Sequence, residues 1–490
     1  MNTIYLPIEL KGEHWTISVI SLNAFTDDID TPVHKNEFHL FRGMVAEKME
    51  GNIFFLENQL EGDAYVILAD CADYEKATLT VREYKASIDA NTAGVEIIPC
   101  KAGQCEETCR KTYRVRMHKA PLVAMSNTWG DYNGFSRVCE EFILKEIDKA
   151  AQLGIDVVQI DDGWQEGSTA DKSRRDETGR RIFADDFWVL STQRFPHGMK
   201  YISDYAAQKG IRLGLWFAPE NRDRFACLDR DTAILKNAYD NWGIRFFKLD
   251  MYWIMDDEDR DLFLKFLANI YAFGPDVTVQ LDVTRHSRVN YLCGREFGTV
   301  FVENRYTKSH TYFPHRTLKN LWLLSRYIPA SRFQFEVVNP ALNKESYTPE
   351  DSFATPNYDI DYLFASVMLS NPLFWMEMQF LSAEDSQKLQ TIVSFWKTYR
   401  TVFSDGDISP IGQKPCGRGF TGFYIKHNSK EYALIFREVT EKDTGVFCLP
   451  TEGQQAEVLL SNTAVTASLD SSVLKASFSK SRAYAFLKLQ

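Results

Sequence analysis

The middle of the chain, residues 119–402, alternates short apolar runs with longer amphipathic stretches. The stretches repeat apolar residues every three or four positions, as helices do, and several end at a glycine such as Gly154, Gly210 or Gly243. The eight apolar runs are 122–125, 157–160, 213–216, 246–249, 278–281, 300–302, 333–336 and 373–376. This alternation predicts a (β/α)8 TIM barrel. A doubly wound open sheet is the structural alternative, but no G-x-G-x-x-G sequence follows any of the runs.

The N-terminal and C-terminal regions of the chain show a different pattern of apolar residues. Short runs of β-branched and aromatic residues, such as 53–56, 64–68, 432–436 and 483–487, are separated by Gly and Asp, and no long helical period emerges. We therefore expect an α/β protein in three parts. These are a β-rich, sandwich-like domain over 1–118, the barrel over 119–402 and a small all-β domain over 403–490.

Charge and composition restrict the classes of molecule that the protein is expected to bind. The 490 residues include 67 acidic and 56 basic side chains, for a net charge of −11, which argues against nucleic acid as a partner. No apolar run of about 18 residues is present, so we expect no membrane-spanning helix. No basic segment followed by an apolar run opens the sequence, and the nine cysteines form an odd, scattered set. Both features predict reduced thiols and a cytoplasmic location.

Carboxylates follow the predicted strands repeatedly. The residues at or just after strand ends include Trp129, Asp161, Asp162, Trp164, Trp216, Glu220, Asp250, Asp282 and Glu303. In a parallel barrel these positions share one rim, where active sites are built. Aromatic faces suit the apolar side of a sugar ring, and carboxylates accept hydrogen bonds from its hydroxyls. The pattern therefore favours a site for a carbohydrate or another small molecule.

Metal chemistry has little support in the sequence. No H-x-H follows the first strand and no H-E-x-x-H occurs among the nine histidines. Cys100, Cys105 and Cys109 lie close together but contain no C-x-x-C pair, so packed or solvent-facing free thiols are the better interpretation. We therefore expect no metal site.

Four motifs, taken together, resemble glycoside hydrolase family 36, which holds the α-galactosidases and shares a clan with family 27. They are Asn-Thr-Trp ending at Trp129, Ile-Asp-Asp-Gly-Trp ending at Trp164, Gly-Leu-Trp-Phe-Ala-Pro-Glu ending at Glu220, and Phe-Lys-Leu-Asp-Met containing Asp250. They occur in the family's order, each at a strand end. The resemblance covers roughly residues 120–305.

The resemblance implies a retaining glycosidase that uses no cofactor. Asp250 would be the nucleophile, and Lys248 would bind sugar hydroxyls near C2 or C3 and keep Asp250 ionised. Asp161 and Asp162 would bind the hydroxyls that distinguish an axial O4, while Trp164 and Trp216 shape the pocket. A barrel-mouth salt bridge is the structural alternative for Lys248 and Asp250.

The sequence departs from the family pattern at three places. The acid/base Asp expected after the sixth strand is replaced by Glu303 followed by Asn304, so Glu303 is the candidate acid/base, with Asp282 as its rival. Segment 282–288, with Arg285, replaces a Cys- and Gly-rich segment, which affects recognition at C2. The N-terminal region is also shorter than is usual in the family. These differences indicate a divergent branch.

The leading hypothesis is an exo-acting, retaining α-glycosidase that cleaves terminal α-galactosides by double displacement. Its alternatives within the clan are an α-N-acetylgalactosaminidase, a β-L-arabinopyranosidase and a transglycosylase like raffinose synthase. A carbohydrate-binding pseudoenzyme is the alternative from another class. The expected partner is a glycoside or oligosaccharide. The aglycone, the linkage and homo-oligomer formation stay open.

Overall fold

The computed structural model describes residues 2–24, 31–71, 74–90, 92–132, 134–167 and 172–490. The N-terminal part contains two antiparallel sheets, with strand orders β1-β8-β7-β4 and β3-β2-β5-β6-β9. Its elements are β1 (Asn2–Glu9), β2 (Trp15–Leu22), β3 (Val33–His39), β4 (Met49–Gly51), β5 (Ile53–Asn58), β6 (Asp63–Cys71), β7 (Ala77–Arg82), β8 (Lys85–Ala90), β9 (Thr92–Lys101) and α1 (Cys105–Arg116).

The larger N-terminal sheet is buried on both faces. Along β5, Phe54 packs into the core between the two sheets, whereas Ile53 and Phe55 face the barrel core. Successive side chains of a strand point to opposite faces, so a sheet covered on both sides needs continuous apolar runs. This explains why residues 53–56 show no polar alternation. The helix α1, in contrast, was not anticipated in this β-rich region.

The middle of the chain forms a closed barrel of eight parallel strands in sequence order, which confirms the predicted fold class. The barrel strands are β10 (Met125–Asn127), β11 (Val157–Ile160), β14 (Arg212–Phe217), β15 (Phe246–Leu249), β16 (Thr278–Asp282), β17 (Thr299–Phe301), β18 (Phe333–Val337) and β19 (Asn371–Phe374). The helices are α2 (Glu140–Leu153), α3 (Met199–Gln208), α4 (Arg222–Phe225), α5 (Leu228–Trp242), α6 (Asp257–Tyr271), α7 (Pro314–Leu324), α8 (Ile360–Val367) and α9 (Ala383–Asp405). Between β11 and α3, the chain inserts an antiparallel hairpin of β12 (Ser173–Arg175) and β13 (Arg181–Phe183).

The sequence predicts the ends of the helices better than it predicts the ends of the strands. α2 and α5 end at Gly154 and Gly243, whose left-handed φ values of 79° and 76° suit glycine. The first strand, predicted over 122–125, instead begins at Met125. The apolar run still lies in the core, because Leu122 and Ala124 are buried beneath the barrel. An apolar run in the sequence therefore predicts burial, but it does not by itself give the residues that pair as a strand.

The C-terminal part contains a five-stranded sheet, β20-β21-β22-β27-β24, and a three-stranded sheet, β23-β26-β25. Its strands are β20 (Asp407–Gly412), β21 (Phe420–His427), β22 (Lys430–Arg437), β23 (Thr444–Cys448), β24 (Ala456–Ser461), β25 (Val465–Asp470), β26 (Val473–Phe478) and β27 (Ala483–Leu489). Alternate residues of β22 pack between these sheets and against the barrel. The domain limits at 118 and 402 stay a prediction.

A helix that crosses a bilayer needs about 20 mostly apolar residues. Within the described ranges, no helix is both long and apolar enough to cross a membrane.

Candidate active site

A cavity of about 330 Å³ opens at the carboxyl ends of the barrel strands, at the lower end of the size range for small-molecule sites. Side chains that follow β10, β11, β15, β16 and β17 reach it, as parallel strand ends sharing one rim require. The residues around it are Trp129, Asp161, Asp162, Arg175, Arg181, Trp216, Lys248, Asp250, Met251, Trp253, Asp282, Thr284, Arg285, Ser287, Arg288 and Asn304. Eight of the eleven site residues predicted from the sequence are among them.

Asp250 is held as a carboxylate by several donors. Its Oδ1 lies 2.9 Å from Nη2 of Arg288, and its Oδ2 accepts a 3.1 Å hydrogen bond from Nε1 of Trp216. Met251, in a left-handed conformation with φ of 55°, also directs its backbone N–H at Oδ1. Burial raises the pKa of Asp250, but Arg288, Lys248 and these hydrogen bonds outweigh it and lower the pKa to about 2. The group is therefore ionised at neutral pH.

Lys248 forms a buried ion pair beside Asp250. Its Nζ donates a 3.0 Å hydrogen bond to Oδ2 of Asp161, which also accepts a 2.8 Å bond from Nδ2 of Asn127. Burial lowers the pKa of Lys248, but Asp161, Asp250 and Asp282 outweigh burial and raise it. The lysine thus stays charged at the bottom of the cavity. It serves both as a barrel salt bridge and as a donor facing the cavity.

Asp282 differs from Asp250 although both carboxyls line the same cavity. Burial and the nearby charge of Asp250 raise its pKa, and this exceeds the opposing effects of Arg288 and Lys248. Its Oδ1 accepts hydrogen bonds from the hydroxyl and backbone N–H of Thr284, at 2.7 and 3.1 Å. Within the described part of the chain, Oδ2 accepts none and is free to carry a proton. One cavity therefore holds two carboxyl groups whose pKa values are shifted in opposite directions.

Arg288 is a site residue that the sequence reasoning did not select. Its guanidinium is buried, lies over the ring of Tyr252 and pairs with Asp250. Among the described residues, its Nε and Nη1 have no hydrogen-bond partner. Buried donors without partners are costly, so these N–H groups are suited to ligand oxygens. Two arginines, three and six residues after the strand-end Asp282, were the signal that could have identified it.

Three predicted residues lie outside the cavity. Trp164 is buried and donates its indole N–H to the backbone carbonyl of Trp216 over 2.9 Å, so it supports the pocket wall from behind. Glu220 is fully buried and pairs with Arg222 and Arg230, at 3.0 and 3.1 Å. Neither side chain faces the space where a ligand would bind. Their predicted ligand contacts are corrected accordingly.

Glu303, the candidate acid/base, is the third of these residues. Its Oε2 accepts a 2.8 Å hydrogen bond from Thr317 and its Oε1 a 2.6 Å bond from Asn320, both on α7. The carboxylate is therefore directed to the helix layer and not to the barrel mouth. Asn304 reaches the cavity instead, and its Oδ1 accepts a 2.6 Å bond from the hydroxyl of Tyr306. The expectation that Glu303 faces the mouth beside Asp250 is wrong.

The β12–β13 hairpin supplies a second group that sequence reasoning missed. Arg175 is exposed and Arg181 half-buried at the cavity. Both come from the insertion between β11 and α3, which no sequence motif had marked as part of the site. Arg285, which was predicted, is exposed at the same opening. The mouth is therefore rich in guanidinium groups.

A metal site needs several ligating side chains close together within the described ranges. There, no group of three or more His, Cys, Asp and Glu side chains is arranged to hold a metal ion.

Comparison with known proteins identifies relatives of the barrel region. Residues 105–253 match the melibiase family model. Alpha-galactosidase Mel36A of Lactobacillus acidophilus is 30% identical over 115 residues, which are 24% of this chain and 14% of that protein. Alpha-galactosidase AgaA of Geobacillus stearothermophilus is 25% identical over 190 residues, 37% of this chain and 24% of that protein. The alpha-N-acetylgalactosaminidase of Rattus norvegicus is 27% identical over 148 residues, 28% of this chain and 32% of that protein. These matches span less than a third of each relative.

Solved structures extend the likeness to the whole fold. The GH36 alpha-galactosidase AgaA in complex with 1-deoxygalactonojirimycin superposes with a TM-score of 0.70 at 14% identity, covering 100% of this chain and 76% of that one. Structures of AgaA variants with raffinose and with stachyose give TM-scores of 0.70 and 0.71, each at 13% identity. At such identities the likeness establishes the fold. Residues 105–253 therefore resemble the melibiase family, and the whole chain shares the fold of the GH36 alpha-galactosidases.

Proposed function

We propose that the protein is a retaining, exo-acting α-glycosidase that hydrolyses terminal α-galactosides. The observation that carries this proposal is the pair of carboxyl groups in one cavity, Asp250 ionised and Asp282 with a raised pKa. Relatives that act on α-galactosides and neighbours solved with raffinose and stachyose support a glycoside or oligosaccharide as substrate. Lys248 and Asp161 line the cavity as a buried ion pair, which suits binding of the hydroxyls of a terminal sugar.

The reaction begins with the Asp250 carboxylate attacking the anomeric carbon. A bond forms between this carbon and a carboxylate oxygen while the bond to the leaving oxygen breaks, and Asp282 transfers its proton to that oxygen. Water then gives a proton to the Asp282 carboxylate and attacks the anomeric carbon. The sugar is released and the Asp250 carboxylate and protonated Asp282 are restored. Arg288 and Lys248 keep the nucleophile ionised between turnovers.

The nucleophile is tested with a slow, fluorinated galactosyl donor and mass spectrometry. The label should appear on the peptide that contains Asp250, and Asp250→Ala should lose turnover of an aryl α-galactoside. NMR of the first product anomer provides an independent check, because double displacement retains the configuration. A label on another peptide, or an inverted first product, would refute the mechanism.

The acid/base is tested by comparing Asp282→Ala with Glu303→Ala. Asp282→Ala should impair substrates with poor leaving groups by about 10²–10⁴-fold, while an activated aryl glycoside, which needs little protonation, reacts almost normally. Added azide should restore part of the rate by attacking the intermediate without base help. Glu303→Ala should not show this leaving-group dependence. If Glu303→Ala shows it and Asp282→Ala does not, the role belongs to Glu303.

A carbohydrate-binding pseudoenzyme is the second candidate, and it is favoured by Asn304. This amide lies at the cavity where the sixth strand ends, and an amide cannot donate and recover a proton as a carboxyl group does. Wild-type protein that binds an aryl α-galactoside in calorimetry without cleaving it would establish this function. The related clan activities are separated by a panel of aryl glycosides that differ in sugar and anomer.

Cellular location and self-association are further predictions from the sequence. We infer a cytoplasmic protein, and cell fractionation would check this. Light scattering would determine whether it forms a homo-oligomer.

A further inference from the structure

We propose that this site prefers glycosides whose leaving group carries an oxyanion substituent, bound at the cavity mouth by Arg175, Arg181 and Arg285. The shared chemistry of this substituent is that of a carboxylate, a phosphate ester or a sulfate ester. The inference rests on the proposed function, because it specifies the leaving group of the same reaction.

The hairpin places two arginines directly opposite each other. Arg175 of β12 pairs in register with Arg181 of β13, and both line the cavity. Like charges directly opposite on neighbouring strands destabilise a sheet. Burial lowers the pKa of Arg181 and the charge of Arg175 lowers it further, whereas the carboxylates of Asp162 and Asp250 raise it. An anion between the two guanidinium groups would relieve this repulsion.

Contacts with the barrel fix the hairpin at the mouth. Between its two strands, Arg180 donates a 3.0 Å hydrogen bond to the backbone carbonyl of Asn221 and lies 3.3 Å from Oδ2 of the buried Asp259. Gly179, with φ of 85°, lies so close to Trp253 that an added Cβ would be 3.1 Å from the indole. The guanidinium of Arg175 is 5.9 Å from the centre of that indole ring. The arginines are thus presented from an anchored turn.

Arg285 approaches from a different element. It follows β16, three residues after Asp282, and its side chain is exposed. Across the described residues, it makes no side-chain hydrogen bond or ion pair. Arginines from two unconnected segments therefore converge on one opening. A guanidinium group presents a planar fork of donors that matches carboxylate and phosphate oxygens, whereas a neutral sugar hydroxyl requires no such charge.

The charges around the cavity separate into an inner and an outer set. In the inner set, Lys248 pairs with Asp161 at 3.0 Å and Arg288 with Asp250 at 2.9 Å. The outer set contains the three arginines. The other two carboxyls of the cavity are Asp162, which accepts a hydrogen bond from Gln165, and Asp282, whose pKa is raised. Asp162 and Asp250 also act on Arg181, so the excess of positive charge at the mouth comes from the exposed Arg175 and Arg285.

The position of this excess indicates the leaving group and not the terminal sugar. Among the residues that line the cavity, Lys248 and Asp161 are buried, whereas Arg175 and Arg285 are exposed to solvent. An exo-acting enzyme holds the terminal sugar at the closed end, so the leaving group extends toward the opening.

The test compares two probes that differ by one carboxylate. They are 4-nitrophenyl α-galactoside and 3-carboxy-4-nitrophenyl α-galactoside, and their dissociation constants are measured by calorimetry on Asp250→Asn protein, which should bind without turnover. The carboxylated probe should bind about tenfold more tightly, equivalent to about 1.4 kcal/mol. Adding Arg175→Gln and Arg285→Gln should remove the preference. High salt should also reduce it, because the mouth is solvent-exposed.

Arg174→Gln in the same background is the matched control. Arg174 is exposed on the same strand but pairs with Ile182 and does not line the cavity, so its loss removes one charge from the hairpin without removing the site. The preference should persist in this variant. Probes with a phosphate or a sulfate ester at the same ring position identify which oxyanion binds best.

The outcomes separate this inference from the proposed function. Equal binding of the two probes, binding of neither, or a preference that survives loss of both arginines would overturn the inference. Turnover of both galactosides by wild-type protein would leave the proposed function standing in those cases. An arginine-dependent preference in a protein that cleaves neither probe would support the anion site and refute the hydrolase. An arginine-dependent preference for a galacturonide over a galactoside would instead overturn the placement of the anion on the leaving group.

Discussion

Replacing Arg288 by Gln should raise the pKa of the proposed nucleophile by about two units or more. The guanidinium lies 2.9 Å from Oδ1 of Asp250 and is the largest influence that lowers the pKa of that carboxyl. The folded protein holds the pKa at about 2 against an ordinary value of 3.8, a preference for the carboxylate of roughly 2.5 kcal/mol. Burial acts in the opposite direction, so without the arginine the pKa should return to its ordinary value or exceed it.

The pH dependence of kcat/KM for an activated aryl α-galactoside measures this change. The acidic limb reports the free-enzyme group that must be ionised, which here is Asp250. Wild-type activity should therefore show no acidic limb from this group above about pH 3, whereas Arg288→Gln should show one at about pH 4 or higher. A thermal melt of each variant at pH 7 verifies that the fold is retained.

Two controls separate charge from shape. Arg288→Lys keeps a cation near Asp250 and should keep the limb well below that of Arg288→Gln. Arg285→Gln removes an exposed cation of the same segment, whose interaction is screened by water, and should move the limb far less. If Arg288→Gln and wild type lose activity at the same pH, Arg288 does not control the ionisation of Asp250. The electrostatic reasoning would then be refuted.

The other predictions concern the site wall, a buried acid and the core. Trp216→Phe removes the 3.1 Å hydrogen bond to Asp250 and should lower kcat/KM by about tenfold to a hundredfold, since a bond to a charged group contributes about 1.5–3 kcal/mol; an unchanged value would exclude this role. Burial raises the pKa of Asp131 to about 7, so its contribution to stability is largest below about pH 4 and is lost as the pH rises toward 7. Asp131→Asn should therefore make the fall in melting temperature between about pH 5 and pH 8 shallower, and equal slopes would contradict this. Phe54→Ala, in the core between the N-terminal sheets, should lower the free energy of unfolding by about 3–5 kcal/mol in urea denaturation, whereas a loss below about 1 kcal/mol would show that the core closes around the gap.

The sequence by itself predicted the barrel and most of its rim. The spacing of apolar residues and the glycines that end helices are local features of the sequence. Gly154 and Gly243 end helices as expected. Parallel strands place their carboxyl ends on one face, so Asp161, Asp250 and Asp282 had to meet once eight strands closed into a barrel. The resemblance to family 36 added roles that periodicity could not supply.

The tertiary structure decided which side chains face the cavity. Side chains alternate between the two faces of a sheet only within a strand. β17 ends at Phe301, two residues before Glu303, so this alternation does not give the direction of the Glu303 side chain. Thr317 and Asn320 then bind the Glu303 carboxylate from α7. These partners are 14 and 17 residues away, and no local pattern shows that helix packing will bring them to this point.

The charge of the site was likewise settled by long-range contacts. Asp250 and Asp282 are both strand-end aspartates in the sequence, yet the pKa of one is lowered and that of the other is raised. The difference arises because Arg288 pairs with Asp250, while Asp282 is buried near the charge of Asp250. Electrostatic energies depend on distances of a few ångströms and on burial, and the sequence determines these only through the folded chain.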